Sequence, residues 1–131
     1  MILDSSALIA ILRNEPEAPA FAAAIADADG CRISAVNYVE AAVVSDRSRD
    51  PIARHRFDDL ALKIDLLVEA VTREQAHIAR EAYRDFGKGS GHPAKLNLGD
   101  CFAYALAKVS GEPLLFKGND FLQTDVASVI G

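Results

Sequence analysis

The chain has 131 residues, half of them apolar and a quarter charged, with a formal net charge of −5. That length suits one folded domain with its own core, and the composition excludes a disordered or fibrous chain. The acidic balance also excludes a general nucleic-acid-coating protein, whose affinity comes from basic groups displacing counterions from phosphates, but not an enzyme that meets nucleic acid at a local site.

In chain order, Met1 to Leu3 are apolar and end at Asp4, and SSALIAIL then reads as a helix over 5–12. No basic residue precedes this apolar stretch, which speaks against a secretory signal. Pro16 opens an alanine-rich helix that closes at Gly30, and CRIS, 31–34, is a short strand. Ser34 is placed to cap a helix over 35–47, and Pro51 breaks the chain before another helix over 52–64. DLLVEAV, 65–71, is the clearest strand, and Thr72 opens a helix that runs to Gly87. KGSGHPAK is a loop, and Asn97 caps a helix stopped by Gly111. PLLF, 113–116, is a strand, KGNDF a turn, and VASVI a candidate last strand. Short apolar strands alternating with helices indicate an α/β domain, 1–131, with a mostly parallel sheet. Cys31 and Cys101 lie among apolar residues without metal-ligand spacing, as small core side chains in a reducing cytoplasm. No apolar run reaches the roughly 18–20 residues of a membrane span.

Four acids stand out against this pattern. In an open α/β sheet, ligands bind beyond the carboxyl ends of the strands. Asp4 stands where the first strand ends, Asp120 just past PLLF, and Asp100 at the start of the helix leading into PLLF. Glu40 shares the i, i+4, i+7 spacing of Val36, Val43 and Val44, which predicts that it faces the core. Each acid has a plainer local reading: Asp4 as a helix cap, Asp100 as a first-turn acid, Asp120 as a turn former, Glu40 as the partner of Arg13 or Lys117. None of these explains convergence on one end of a sheet. Two carboxylates about 4 Å apart repel by roughly 4 kcal/mol at an effective dielectric of about 20. A hard divalent cation with oxygen ligands, Mg²⁺ or Mn²⁺, resolves that repulsion.

MILDSSALIAIL, NYVEAAVV, LNLGDCFAYALAK and PLLFKGNDF together resemble the PIN-domain ribonucleases, and most of all the VapC toxins of bacterial type II toxin–antitoxin systems. The resemblance spans nearly the whole chain and implies a three-layer α/β/α sandwich around a four- or five-stranded sheet. It implies that Asp4, Glu40, Asp100 and Asp120 hold one or two Mg²⁺ or Mn²⁺ ions for hydrolysis of RNA phosphodiesters by water, with Ser6 beside the metal shell. It also implies a VapB-like antitoxin whose arginine enters the acidic pocket, and a homodimer. The turn FKGND departs from the family pattern, which often has threonine or serine shortly before the last acid; Lys117 and Asn119 stand there instead. Asn119 offers a neutral oxygen, and Lys117 a phosphate contact or a neutralising charge. Asp125 is a reserve for Asp120.

Arg13, Lys88 and Lys95 are further candidates for phosphate contact, each with a solvated surface role as the plainer reading. The helix faces in PEAPAFAAAIA and FDDLALKI offer surface for a second copy or the antitoxin, or plain core. Two alternatives compete with the nuclease. A receiver-type signalling domain also binds Mg²⁺ in an acidic pocket, but it needs an aspartate at the end of its central strand, where DLLVEAVTRE offers only Glu69. A catalytically silent PIN-like binding domain is the other.

Overall fold

The computed structural model describes residues 1–130. Four parallel strands form one sheet in the order β3-β2-β1-β4: β1 (Ile2–Leu3), β2 (Arg32–Ser34), β3 (Leu67–Glu69) and β4 (Leu114–Leu115). The register places Ile2 beside both Arg32 and Leu114, and Leu3 beside Ile33 and Leu115. Helices α1 (Ser5–Leu12) and α2 (Ala18–Asp27) connect β1 to β2. Helices α3 (Ala35–Asp46) and α4 (Pro51–Lys63) connect β2 to β3, and α5 (Arg73–Phe86) and α6 (Leu98–Ser110) connect β3 to β4. No described helix is long and apolar enough to cross a membrane.

Strand alternation divides the apolar residues between two cores, one on each face of the sheet. Ile2 and Leu114 face α5 and α6, where Ala79, Ala82, Leu96, Cys101 and Leu106 are buried. Leu3, Ile33 and Leu115 face the other side, with Ala7, Leu8, Phe21, Ile25, Ala41 and Phe57 from α1 to α4. The result is the expected α/β/α sandwich. Burial of each such Ile or Leu side chain contributes about 1.5–3 kcal/mol. Both cysteines are buried and unbridged, as expected.

Several boundaries are shorter than the sequence pattern suggests. The strand predicted over 65–71 pairs only at Leu67–Glu69, because it is an edge strand with one neighbour. The candidate last strand makes a single parallel bridge, Ser128 to Leu114, through two backbone hydrogen bonds. The expected caps are present: Ser34 accepts from Val36 N–H, Thr72 from Gln75 N–H and Asn97 from Asp100 N–H.

The face assigned to α3 requires correction. Its buried stripe is Asn37, Ala41 and Ser45, while Val43 is 39% exposed and Glu40 half-buried. Helix α3 packs against α1, α4 and α6 at once. That crowding selects small side chains for the inner face and turns the valines toward the rim.

Candidate active site

Strand β1 leads to β2 on one side, while β4 returns on the other. The carboxyl ends of β1 and β4 therefore flank the point where the winding reverses, the usual place for a ligand crevice. Asp4 follows β1 directly and is 2% exposed. Its backbone N–H donates to Leu115 C=O at 2.9 Å, and its Oδ2 accepts Ser6 N–H at 3.0 Å, capping α1. Its Oδ1 is buried with no hydrogen-bond partner. The plainer cap reading is thus correct for one oxygen and leaves the other unexplained.

Asp100 enters from α6. It forms a reciprocal cap with Asn97: Asp100 N–H donates to Asn97 Oδ1 at 2.8 Å, and Asn97 N–H donates to Asp100 Oδ2 at 3.0 Å. Glu40 reaches the same place from the second turn of α3. Its Oε1 accepts Asn37 Nδ2–H at 2.8 Å and Ser5 O–H at 3.3 Å. Asp120, exposed, opens a 3-10 turn at Asp120–Gln123 after β4. That turn is fastened to α1, since Lys117 N–H donates to Ser6 Oγ at 3.0 Å. Ser6 therefore ties two acid-bearing segments together.

Electrostatics register the convergence. Asp100 has its pKa pushed up to about 7, first by burial, then by the negative charges of Asp4, Asp120 and Glu40, against a lowering hydrogen bond from Asn97. Burial, with a smaller contribution from Glu40, also raises Asp4. None of the four acids forms an ion pair among the described residues. The expectation that Lys117 or Arg13 neutralises Glu40 is not met. Lys117 pairs with Glu15 and lies 3.2 Å from Glu17, and Arg13 caps α1 beside a different cavity, of about 360 Å³, with Arg47 and Arg56. Asp125 is also excluded from the site: it accepts from Tyr104 O–H at 2.6 Å and from Lys108 at 3.0 Å. Asn119 is exposed, and its side chain caps nothing. Lys88 and Lys95 are exposed in the α5–α6 loop.

Two residues that the sequence did not single out shape the site. Asn37 is fully buried, and its Nδ2 donates both to Glu40 and, at 3.0 Å, to Gly99 C=O, so it clamps α3 against the start of α6. Gly99 lies so close to Glu40 that an added Cβ would stand 2.6 Å from the carboxylate carbon. A buried asparagine three residues before an acid on a helix is the one sequence signal that could have marked Asn37.

The donor set is all oxygen, brings four carboxyl groups with no cationic partner and includes one buried orphan oxygen, which suits Mg²⁺ or Mn²⁺. Among the described residues no three Asp, Glu, His or Cys side chains converge tightly enough to enclose one ion as they stand.

The pH dependence of stability follows from Asp100. Its folded pKa lies above the unfolded value, so between roughly pH 4 and 7 the folded state binds more protons, and stability falls as pH rises through that window. For metal-free protein, thermal unfolding should give a higher midpoint at pH 5.5 than at pH 8. The difference is worth about 1–2 kcal/mol after allowance for solvent screening. In Asp100→Asn that difference should shrink; an unchanged pH slope would show that Asp100 is not charged against its neighbours.

A family profile described as PIN domain matches residues 1–127. The chain belongs to the PIN domain family. This PIN domain is 55% identical to Ribonuclease VapC28 of Mycobacterium tuberculosis over 126 residues, which cover 96% of this chain and 95% of that protein. It is 46% identical to Ribonuclease VapC of Mycolicibacterium smegmatis over 129 residues, 98% and 99% of the two chains. Among solved structures, it is similar in fold to Mycobacterium tuberculosis VapC20, described as a sarcin-ricin loop cleaving toxin, with a TM-score of 0.75 at 16% identity over 96% of this chain and 95% of that one. The FitAcB structure from Neisseria gonorrhoeae gives 0.72 at 18% identity over 97% and 94%. Membership of the PIN family removes the receiver-type alternative.

Proposed function

We propose that this PIN domain is an endoribonuclease toxin of the VapC type, acting in the cytoplasm, with Asp4, Glu40, Asp100 and Asp120 as its catalytic carboxylates. The observation that carries this reading is the gathering of four unpaired acids at the reversal point of the sheet, where a hydrolase needs a counterion and a substrate phosphate together. Its VapC-named relatives at 46–55% identity support the same activity.

Mg²⁺ or Mn²⁺ held there would supply positive charge to the phosphoryl oxygens and make water a better nucleophile at neutral pH. Asp4 and Asp100 would hold the ion, each with a backbone cap that sets its carboxylate. Glu40, held by Asn37 and Ser5, and the exposed Asp120 would complete the ligand set or orient water. Asn119 is a further oxygen donor, and Ser6 holds the Asp120 turn in place. A VapB-like antitoxin would inhibit the site by presenting a guanidinium, which meets a carboxylate with two parallel hydrogen bonds. The exposed Val39 and Val43 on α3 give a second copy an apolar surface to cover.

The test is cleavage of RNA by the purified protein. With millimolar Mg²⁺ or Mn²⁺, RNA should be cut internally, and EDTA should stop the reaction until metal is restored. Cleavage that persists in EDTA, or none under any divalent ion, would overturn this reading.

A further inference from the structure

The α5–α6 loop is more rigidly built than a solvated connector needs to be. Its ends are joined at the root: Lys88 N–H donates to Leu96 C=O at 2.9 Å, and Leu96 N–H to Phe86 C=O at 2.9 Å. Within it, Ser90 O–H donates to Gly87 C=O at 2.6 Å, and Ser90 Oγ accepts His92 N–H at 3.2 Å. His92 Nδ1 accepts Ala94 N–H at 3.0 Å, and the ring packs edge-on against Phe86, with centroids 4.9 Å apart. With Nδ1 as the acceptor, Nε2 is the ring nitrogen that carries the proton. Ala94 and Leu96 are both fully buried, and Lys95 between them is held at φ +49°, a left-handed conformation uncommon for a side-chain-bearing residue. The loop accepts that strain and turns Lys95 outward.

Lys88, His92 and Lys95, with Gly89 and Gly91, line a cavity of about 520 Å³. In a chain with 19 acidic residues and 14 lysines and arginines, neither lysine forms an ion pair among the described residues. The root of the loop lies at Leu96, one residue before the Asn97 cap of the helix that carries Asp100. Two unpaired ammonium groups thus stand on the loop that leads directly into the helix carrying Asp100. Open space stands where a Cβ would be at Gly89 and Gly91, leaving the rim clear for a bulky strand.

We infer that this loop is a preformed phosphate subsite that holds the RNA strand next to the carboxylates, with Lys88 and Lys95 as the charged contacts and His92 as a donor through Nε2–H. The inference rests on the ribonuclease reading for its ligand. It explains how an acidic protein retains a polyanion: the attraction is confined to one rim of the site instead of the whole surface.

The test is binding of a fluorescein-labelled single-stranded RNA by fluorescence anisotropy at several salt concentrations, in an Asp4→Asn background that leaves the strand intact. Lys88→Gln/Lys95→Gln should weaken binding about tenfold and reduce the slope of log affinity against log salt by about 1.4, the loss of two contacts. Lys88→Arg/Lys95→Arg should restore both. Unchanged melting temperatures would establish that the fold is intact; neither lysine side chain holds a partner that folding needs. Unaltered affinity and slope would overturn the subsite even if wild type cuts RNA. Lysine-dependent binding by a chain whose wild type cuts nothing would sustain the subsite and fail the nuclease. Polyglutamate displacing the RNA at equal charge, with the same lysine dependence, would assign the loop to an acidic peptide and also overturn it.

Discussion

Asp4→Asn should abolish RNA cleavage, by about a thousandfold or more, while leaving the fold intact. The substitution is isosteric, and the amide oxygen can still accept Ser6 N–H and cap α1. What it removes is charge. Asp4 is the most buried of the four acids, and a fixed anionic ligand is worth several kcal/mol of transition-state stabilisation when it holds a metal, about 4 kcal/mol corresponding to a thousandfold in rate. In metal-free protein the same change relieves a desolvated carboxylate and its repulsion from Glu40, so the melting temperature at pH 8 should be at or above that of wild type. Added Mg²⁺ or Mn²⁺ should raise the midpoint of wild type and not that of the variant. Cleavage within tenfold of wild type would remove Asp4 from the catalytic set.

Gly99→Ala should separate activity from stability in the opposite way to a core substitution. Gly99 is helical, so alanine gains about 0.5–1 kcal/mol of intrinsic helix preference. The added methyl group overlaps the Glu40 carboxylate, and what it meets is the end of a flexible, half-buried side chain. Glu40 is therefore expelled from its hydrogen bond with Asn37 without the backbone moving far. Cleavage should fall about 10–100-fold and affinity for Mn²⁺ should weaken, while unfolding free energy changes by less than about 1 kcal/mol. Full activity in Gly99→Ala would mean that Glu40 works from another position. A loss of several kcal/mol in stability would mean that α3 and α6 cannot yield.

Much of this arrangement was legible before any coordinates. Ser34, Thr72, Asn97 and Gly111 mark helix ends through local chemistry, and local chemistry is what a sequence states most directly. Asp4, Asp100 and Asp120 were readable because each follows or leads a strand, and strand ends locate a parallel sheet's crevice. Glu40 was reached for the wrong reason. The valines around it suggested a core-facing stripe, whereas the inner face of α3 is Asn37, Ala41 and Ser45, chosen by close packing between helices. The alternative pairing of Lys117 with Glu40 misses for a similar reason: its partners Glu15 and Glu17 are about a hundred residues away, and no local pattern announces a distant ion pair. The Asn37 clamp and the Glu40–Gly99 approach are likewise contacts between segments separated by some sixty residues.

The strand order has a consequence for assembly. Strand β1 occupies the interior of the sheet, and one of its neighbours, β4, follows it only after the other two strands and all six helices. Until residues 114 and 115 are in place, one edge of Ile2–Leu3 has no partner, and Asp4 N–H lacks the Leu115 carbonyl that seats it. The crevice between the carboxyl ends of β1 and β4 is therefore assembled only once these two distant segments have paired.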